Sequence, residues 1–552
     1  MNYLATFLIA GPLLWLLNWA WALYRNYRNA KLSGLPVLIC PFSPDGFPYL
    51  IIKVPLKPLL ELIPICRPGI QVSIMGWEHA DRYTLHEKYG RVFILVNPAR
   101  NEMWCADPDT AQLILARRRE FPQLDMATTI MSTFGKNVIT ANGEDWGRQR
   151  RIVVPNLNER ISEAVWTETS HQANKMVEYM LQRPDNGEAE SVSSLRAIAI
   201  NVLSLVGYGQ PKPFKPQKLC QDPTAVMSYT DVVSLCGELI VLAAFVPSWI
   251  LRLSIMPKLL QTLGVAMERL PTLTAEMLDE QRAHSDGHQR DHFVSQLVRL
   301  SDAGKTGETT AQYLTEEEIA GNLFLFTAAG FDTTGNTLGF AVTWLAAQPE
   351  WQRWTQEELD CVLGKHGMHD YATVFPKLTR CLAVMYETLR LNPAATHIGR
   401  TVHEPISLTI GDKQHLLQPP LTAYINNSTL HTLPEIWGSD SLEFRPSRWI
   451  ITPSSGPPSQ LGDEKLVTPQ KGAFNGWSGG PRVCPGQKMS QVEFVTVIAT
   501  VFSKCNIEPI LREGETMESA SGHLMHMIQD TQMRLTMQFK HPREVRLKWR
   551  KR

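Results

Sequence analysis

The sequence offers no zinc site and no disulfide framework. Its 9 Cys are an odd number, scattered without regular spacing, and no Cys-x-x-Cys pair or Cys/His cluster occurs. Such scatter suits a reducing compartment, where most thiols serve as small core residues. There is no excess of either charge. Lys plus Arg number 54 and Asp plus Glu 54, so the basic surplus that marks a nucleic-acid binder is missing. There is no Walker or Gly-x-Gly-x-x-Gly motif and no flavin domain, so any electrons the chain uses must come from a separate protein. Internal repeats and low-complexity segments are also absent. With 44% hydrophobic and 20% charged residues among 552, the composition favours a large buried core over disorder.

One long uncharged run is present. Tyr3 to Tyr24, YLATFLIAGPLLWLLNWAWALY, would span about 33 Å as a helix, close to the hydrocarbon thickness of a bilayer. Trp15, Trp19, Trp21 and Tyr24 lie towards one end, and Arg25, Arg28 and Lys31 follow. The positive-inside rule puts that flank and the bulk of the protein in the cytosol. A cleaved signal peptide is disfavoured, because the run is long and lacks a charged n-region and a small-residue cleavage site. With a cytosolic body, the two overlapping glycosylation patterns in Asn426-Asn427-Ser428-Thr429 go unused.

The expected organisation is an anchor with basic flank over 1–31, a Pro-rich connector over 32–70, a main domain over 71–541 and a basic tail over 542–552. The apolar part of the connector, Phe47 to Ile65, is interrupted by Lys53, Lys57, Glu61 and prolines, which argues against a second span. Arg91 to Val96 reads as a strand with Glu102 to Ala106 as its hairpin partner. Asp107 to Glu387 reads as mainly helical, and short strands return between Ile406 and Asn426. The tail Arg543 to Arg552 reads as a frayed or surface segment. Cys236 to Ile255 is strongly apolar, but Glu238, Pro247 and Arg252 favour helices that roof a pocket and touch the membrane surface over a second span.

Four segments carry chemistry. In Trp477-Ser-Gly-Gly-Pro-Arg-Val-Cys484-Pro-Gly486, two glycines and a proline impose a tight turn, and Gly486 lets backbone pass close to a flat ligand. A helix is expected from Gln487 to Phe502, so Cys484 faces its positive end, which should lower the thiol pKa and favour a metal-binding thiolate. In Glu387-Thr-Leu-Arg390 the charges share one helix face, and Phe444-Arg-Pro-Ser-Arg448-Trp449 adds a further arginine. Ala329-Gly330-Phe331-Asp332-Thr333-Thr334 is poor mid-helix material. It lies inside a helix expected to start at a Thr315/Glu318 capping box and end near Ala347, before Pro349. Trp146 and Arg150, four apart, share a face, and Arg pairs bidentately with carboxylates.

Together these segments resemble the cytochrome P-450 family over nearly the whole chain, in the family's order and spacing, and look most similar to fungal membrane-bound members. The cysteine-loop signature Phe-x-x-Gly-x-Arg-x-Cys-x-Gly is matched at Gly480, Arg482, Cys484 and Gly486, with Trp477 in place of Phe. The retained aromatic is expected to pack against the loop and to tune the sulfur environment. The resemblance implies a buried structural triad of Glu387, Arg390 and Arg448. It implies an oxygen-binding helix in which Gly330 leaves room for oxygen, Thr333 hydrogen-bonds it and Asp332 relays protons from solvent. Trp146 and Arg150 lie near a haem propionate in the family. Arg400 and Arg482 are further propionate candidates and His397 a weaker one. Gln149 stands where related members often have His, which is expected to remove one propionate contact. Arg148, Arg151 and His431 read equally well as surface or packing residues.

The implied fold is mainly α, a roughly triangular helical haem domain with small β-sheets preceded by one transmembrane helix. The implied cofactor is haem b, its iron held by the Cys484 thiolate. The implied partners are a NADPH-cytochrome reductase, cytochrome b5, membrane lipid and an apolar small molecule, with no nucleic acid. Arg482 and Lys488 suggest a docking surface for an acidic reductase. The expected location is the endoplasmic reticulum membrane, single-pass, with the catalytic domain cytosolic. The expected reaction inserts one oxygen atom from O2 into an intermediate of terpenoid or polyketide secondary metabolism, by hydroxylation or epoxidation. Candidate lining stretches are Phe121 to Glu144, Val233 to Leu251, Phe324 to Ala329 and Ala394 to Gly399, all with few charges. The rival readings are a haem-thiolate isomerase or dehydratase that needs no O2, whose members tend to lose the acid–alcohol pair intact here, and a non-catalytic haem-binding membrane protein.

Overall fold

The computed structural model describes residues 2–41, 71–72, 74–183, 190–283, 292–305, 313–368, 370–451, 461 and 463–552. It divides into two units. One comprises Met1–Asp125, Ala395–Leu442 and Pro469–Val483, and the other Met126–Ala394, Glu443–Thr468 and Cys484–Arg552. Helices of nine or more residues are numbered α1 to α13 below; shorter ones are named by range.

The first unit contains α1 (Asn2–Leu32), a five-stranded sheet and α2 (Pro108–Ala116). The apolar helix does not stop at Tyr24 but runs through the basic flank to Leu32. Its last turns dock: Asn26 is fully buried and donates to Asn97 O (2.8 Å), while Asn101 donates to Asn26 O (2.9 Å). The sheet holds β1 (Val37–Ile39), β2 (Val92–Val96), β3 (Asn101–Cys105), β4 (His397–Val402) and β7 (Leu421–Asn426), in the order β1-β2-β3-β7-β4. β5 (Ile406–Ile410) and β6 (Lys413–Leu417) form a separate hairpin. The β2/β3 hairpin pairs Val92 with Cys105, as the alternating run and the Asn97-Pro98 break imply.

At the start of the Pro-rich connector, Val37–Ile39 pairs in parallel with β2; its apolar part, Phe47 to Ile65, lies outside the described residues. The glycosylation patterns are closed by burial whatever the compartment. Asn426 accepts from Thr429 N (3.1 Å) and Asn427 donates to Ala395 O (3.0 Å), both inside the fold.

The second unit is helical: α3 (Gly143–Val153), α4 (Glu159–Leu181), α5 (Ser191–Tyr208), α6 (Tyr229–Glu238), α7 (Lys258–Ala283), α8 (Phe293–Lys305), α9 (Glu316–Ala347), α10 (Pro349–His366), α11 (Thr379–Leu391), α12 (Gln487–Phe502) and α13 (Met517–Gln529). It also holds two small sheets, β8 (Cys505–Pro509) with β11 (Leu547–Lys551), and β9 (Thr531–Met533) with β10 (Met537–Phe539). The long helix α9 begins at the expected reciprocal cap of Thr315 and Glu318. It packs on α5 along a glycine seam. A Cβ on Gly335 would meet Arg196 Cα at 3.0 Å, and one on Gly339 would meet Val192 at 3.5 Å. By length and composition α5 could cross a membrane, but most of it is buried in this core.

Cys236 to Ile255 is no single span. It is broken into the end of α6 and the short helices Ile240–Phe245 and Ser248–Leu251. The C-terminal tail is a correction: it is not frayed, because β11 pairs antiparallel with β8. Val545 and Leu547 are buried and alternate with basic residues, a period-two pattern masked by the charge of the segment.

Candidate active site

The cysteine loop owes its shape to backbone that only some residues accept. Gly480 has φ +62°, and a Cβ there would lie 2.5 Å from Leu115 O on α2. Trp477 packs within the same loop, its ring 6.2 Å from that of Phe474. His431, fully buried, stacks on Phe474 at 4.9 Å and accepts the Asn475 N–H at 2.9 Å. It is thus a packing residue of this loop.

Cys484 lies three residues before α12. Its own surface is exposed, although protein atoms surround it closely. Burial pushes its thiol up, against the lowering effects of the Gly486 N–H and of Arg150. The net direction is upward although a helix begins three residues on, because desolvation outweighs those two groups. Arg150 is held over the Trp146 ring at 5.6 Å, one turn back on α3. Burial lowers the Arg150 guanidinium, and the charge of Cys484 opposes that. Trp146, Arg150 and Cys484 are thus brought together. Arg148 turns elsewhere, donating to Glu318 Oε2 (2.9 Å) and Tyr313 O (2.7 Å).

The middle of α9 has one open stripe. From Gly321 to Ala347 every residue is buried except Phe326, Ala329, Gly330 and Thr333, which share a helix face. The Thr333 hydroxyl donates to Ala329 O (2.9 Å), the usual resting bond of a helical threonine. The space left by Gly330 lies towards Leu203 of α5, whose two Cδ atoms would be 3.4 Å from a Cβ. It therefore eases the packing of two helices.

Asp332 does not face solvent. Arg196 lies 2.8 Å from its Oδ1, and the Thr536 hydroxyl donates to its Oδ2 at 2.6 Å. Arg196 also donates to Asn336 Oδ1 (2.7 Å) and pairs with Glu238 at 3.3 Å. Glu238 is further held by Arg534 and by Gln538 Nε2 (3.2 Å). Sequence reasoning missed Arg196, Thr536 and Arg534, and treated Glu238 only as a charge unsuited to a membrane span. One signal was available: Arg196 is the sole charged residue within α5.

Glu387 and Arg390 are fully buried and paired twice, at 2.8 and 2.9 Å. Arg448 Nε donates to Glu387 Oε1 (2.9 Å), Trp449 Nε1 to its Oε2 (2.9 Å) and the Arg445 N–H to its Oε1 (2.8 Å). Burial would push Glu387 up, but Arg390 and Arg448 outweigh it and hold the carboxyl below its usual range.

In the first unit, Arg400 on β4 is buried and donates to Gln123 Oε1 (3.0 Å) and Gly399 O (2.9 Å). Among the described residues no carboxylate pairs with it, and burial alone lowers it to about 10. A buried cation without a counter-ion is a seat for an anionic group. Arg482 is half-buried in the Gly480–Arg482 turn. His397 points Nδ1 at the buried Glu78 carboxylate, with its ring edge-on to Trp104 (5.6 Å) and Tyr424 (4.9 Å). Among the described residues no cluster of three or more His, Cys, Asp or Glu could hold a metal ion.

Residues 58–534 match the family model described as Cytochrome P-450. The chain is 31% identical to a phomenoic acid biosynthesis cluster cytochrome P-450 monooxygenase of Leptosphaeria maculans, over 94% of this chain and 95% of that protein. It is 26% identical to the cytochrome P-450 monooxygenase ORF6 of Penicillium roqueforti, over 91% of each. It is 25% identical to the cytochrome P-450 monooxygenase prx9 of Penicillium rubens, again over 91% of each.

Proposed function

This chain belongs to the cytochrome P-450 family, and from that premise we propose a membrane-anchored monooxygenase that inserts one oxygen atom from O2 into an apolar small molecule. The family's cofactor is haem, with iron bound through a cysteine thiolate. The observation that carries the assignment here is the exposed Cys484 set beside Arg150, which lies over the Trp146 ring. When bound, haem supplies the activation of O2, helped by electron density from the thiolate.

The chain's own residues supply the rest. Arg150 offers a cation for a haem carboxylate beside Cys484, and by the family resemblance Arg400 and Arg482 are the further candidates; Arg400 has no described carboxylate of its own. Cys484 would hold the haem iron as a thiolate, the form of the side chain that binds metal. Thr333 stands on the open stripe of α9, and a turn about χ1 frees its hydroxyl from Ala329 O. Asp332 can move a proton only by exchanging one of its two present bonds. Arg196 lies at Oδ1, and the Thr536 hydroxyl donates to Oδ2 while accepting from Asn336 Nδ2, so the Thr536 bond is the one between neutral and carboxylate groups that would have to open for a proton to reach Asp332. Glu387, Arg390 and Arg448 brace the fold and do no chemistry.

The electron source in this reading is a separate NADPH-dependent reductase, with cytochrome b5 as a second donor; Lys488, part-exposed above Phe375 at 4.4 Å, supplies part of the basic contact. The anchor is α1, where Leu13, Leu14, Trp15, Leu16, Leu17 and Trp21 are exposed. The exposed Val241, Leu242, Phe245, Trp249, Leu253 and Ile255 would touch lipid without spanning it. Both suit the endoplasmic reticulum with the body cytosolic. The low charge of the candidate lining stretches and the biosynthetic cluster named for one relative support a secondary-metabolite substrate of terpenoid or polyketide type.

The test is expression in microsomes with added reductase. The expected results are a reduced carbon monoxide spectrum of thiolate-ligated haem, an optical shift with selected apolar metabolites, and product formation that needs both NADPH and O2. Turnover without O2 would support the isomerase or dehydratase reading, and haem binding with no turnover of any metabolite the non-catalytic one.

A further inference from the structure

Gln149 and Asn322 support an inference that rests on the monooxygenase reading and adds how one wall of the substrate space is held. Both side chains are buried, at 1% and 0% exposure. Gln149 Nε2 donates to Glu318 Oε1 (3.0 Å), and its Oε1 accepts from Asn322 Nδ2 (3.1 Å). Asn322 Nδ2 also donates to Glu318 O (2.8 Å), and its Oδ1 accepts the Val138 N–H (3.0 Å).

The direction of every bond follows from one charge. Burial would push Glu318 up, but Arg148 and the Thr315 N–H hold it below its usual range. A carboxylate only accepts, so Gln149 must turn its NH2 towards Glu318 and its carbonyl towards Asn322. Asn322 must then offer NH2 to Gln149 and its carbonyl to the loop, where a backbone N–H waits. Both ends of the Gln149 carboxamide are therefore committed to α9.

What is held is the loop 132–141. Asn137 closes it from within, accepting from Ile139 N (3.1 Å) and donating to Met131 O (2.9 Å). Its backbone lies directly on α9: a Cβ on Gly321 would stand 2.2 Å from Lys136 O. Phe134 rests on Phe324, with centroids 4.3 Å apart. Phe134 and Ile139 remain part-exposed, and the open stripe of α9 begins at Phe326.

We propose that Gln149 and Asn322 are positioning residues that register the loop 132–141 on α9, and so set the wall that Phe134 and Ile139 present to substrate. The test uses the haem-loaded full chain, Gln149→Met and Asn322→Leu. Amide exchange is followed over 132–141, and haem titrations use imidazole and phenylimidazole. In Asn322→Leu, exchange over 132–141 rises about tenfold while α9 beyond Ala329 keeps its protection. The ratio of phenylimidazole to imidazole affinity shifts about fivefold, with imidazole itself within about twofold. Gln149→Met moves both readouts the same way by less, since Asn322 remains but is free to flip. Unchanged exchange with an unchanged ratio in both variants overturns the proposal. An equal loss for both ligands also overturns it, because that is general damage to the haem site. If Asn322→Leu does not fold, Gln149→Met decides alone. If wild type lacks the thiolate–haem spectrum, the monooxygenase reading fails, while the exchange measurement still tests the clamp.

Discussion

Arg196 lies 2.8 Å from Asp332 Oδ1 and 3.3 Å from Glu238 Oε2, so one guanidinium joins a buried and a half-buried carboxylate from two helices. It is the sole charge of α5, and it reaches Asp332 because Gly335 lets the backbones of α5 and α9 approach. Replacing Arg196 with Met leaves Asp332 without its ion-pair partner, while Glu238 keeps Arg534. The expected cost is about 3–5 kcal/mol, read from thermal unfolding, with a fall in product formed per NADPH used. Stability within error of wild type would contradict the geometry.

Thr333 and Thr536 test the proposed proton relay separately. Thr333→Ala removes the hydroxyl on the open stripe, and Thr536→Val removes the donor to Asp332 Oδ2. Each is expected to lower coupling of NADPH use to product by about 10-fold or more, with substrate binding little changed. Full coupling in Thr333→Ala would remove that residue from the relay.

Two buried glutamates give opposite pH signs. Glu387 is held below its usual range, so its contribution is present above the unfolded value and lost as pH falls through the folded one. Glu493 on α12 is pushed up to about 8 by burial, and its Oε1 has no hydrogen-bond partner among the described residues. It is neutral in the fold and ionised in the unfolded chain. Stability should therefore fall as pH rises from about 4.5 towards 8, by about 1.4 kcal/mol per pH unit. Glu493→Gln should abolish that slope, measured by denaturant unfolding across the window. A slope surviving in the variant would reject the assignment.

Arg400 predicts opposite effects with and without the cofactor. It is buried with no described counter-ion, so Arg400→Leu should leave the haem-free chain as stable or more so. The loaded protein should lose haem faster, by about 10-fold. Destabilisation of the haem-free form alone would mark Arg400 as structural.

The carboxylate at the centre of the triad accepts from Arg390, Arg448, Trp449 and the Arg445 backbone. Glu387→Gln is expected to cost about 3–5 kcal/mol, because two arginines then lack their charge partner. Calorimetric unfolding of the full chain checks this; a change below about 1 kcal/mol would be too small for such a site.

By itself the sequence determined what lies within a turn or a strand. The Thr315/Glu318 cap, the α12 start at Gln487, the positive φ of Gly480 and the β2/β3 pairing are short-range consequences of residue type. Trp146 and Arg150, or Glu387 and Arg390, share faces because helical spacing requires it. Tertiary structure decided whatever depends on desolvation or on a distant partner. It set the upward shift of the Cys484 thiol, where local dipole reasoning pointed down. It chose Arg196 and Thr536 for Asp332, Glu318 and Asn322 for Gln149, and Glu78 for His397. It turned the basic tail into a strand by offering β8 as an edge. The physical reason is common to all of these. Spacing says which side chains point the same way, but a charge or a polar edge takes its energy from what surrounds it, and only the folded chain supplies those surroundings.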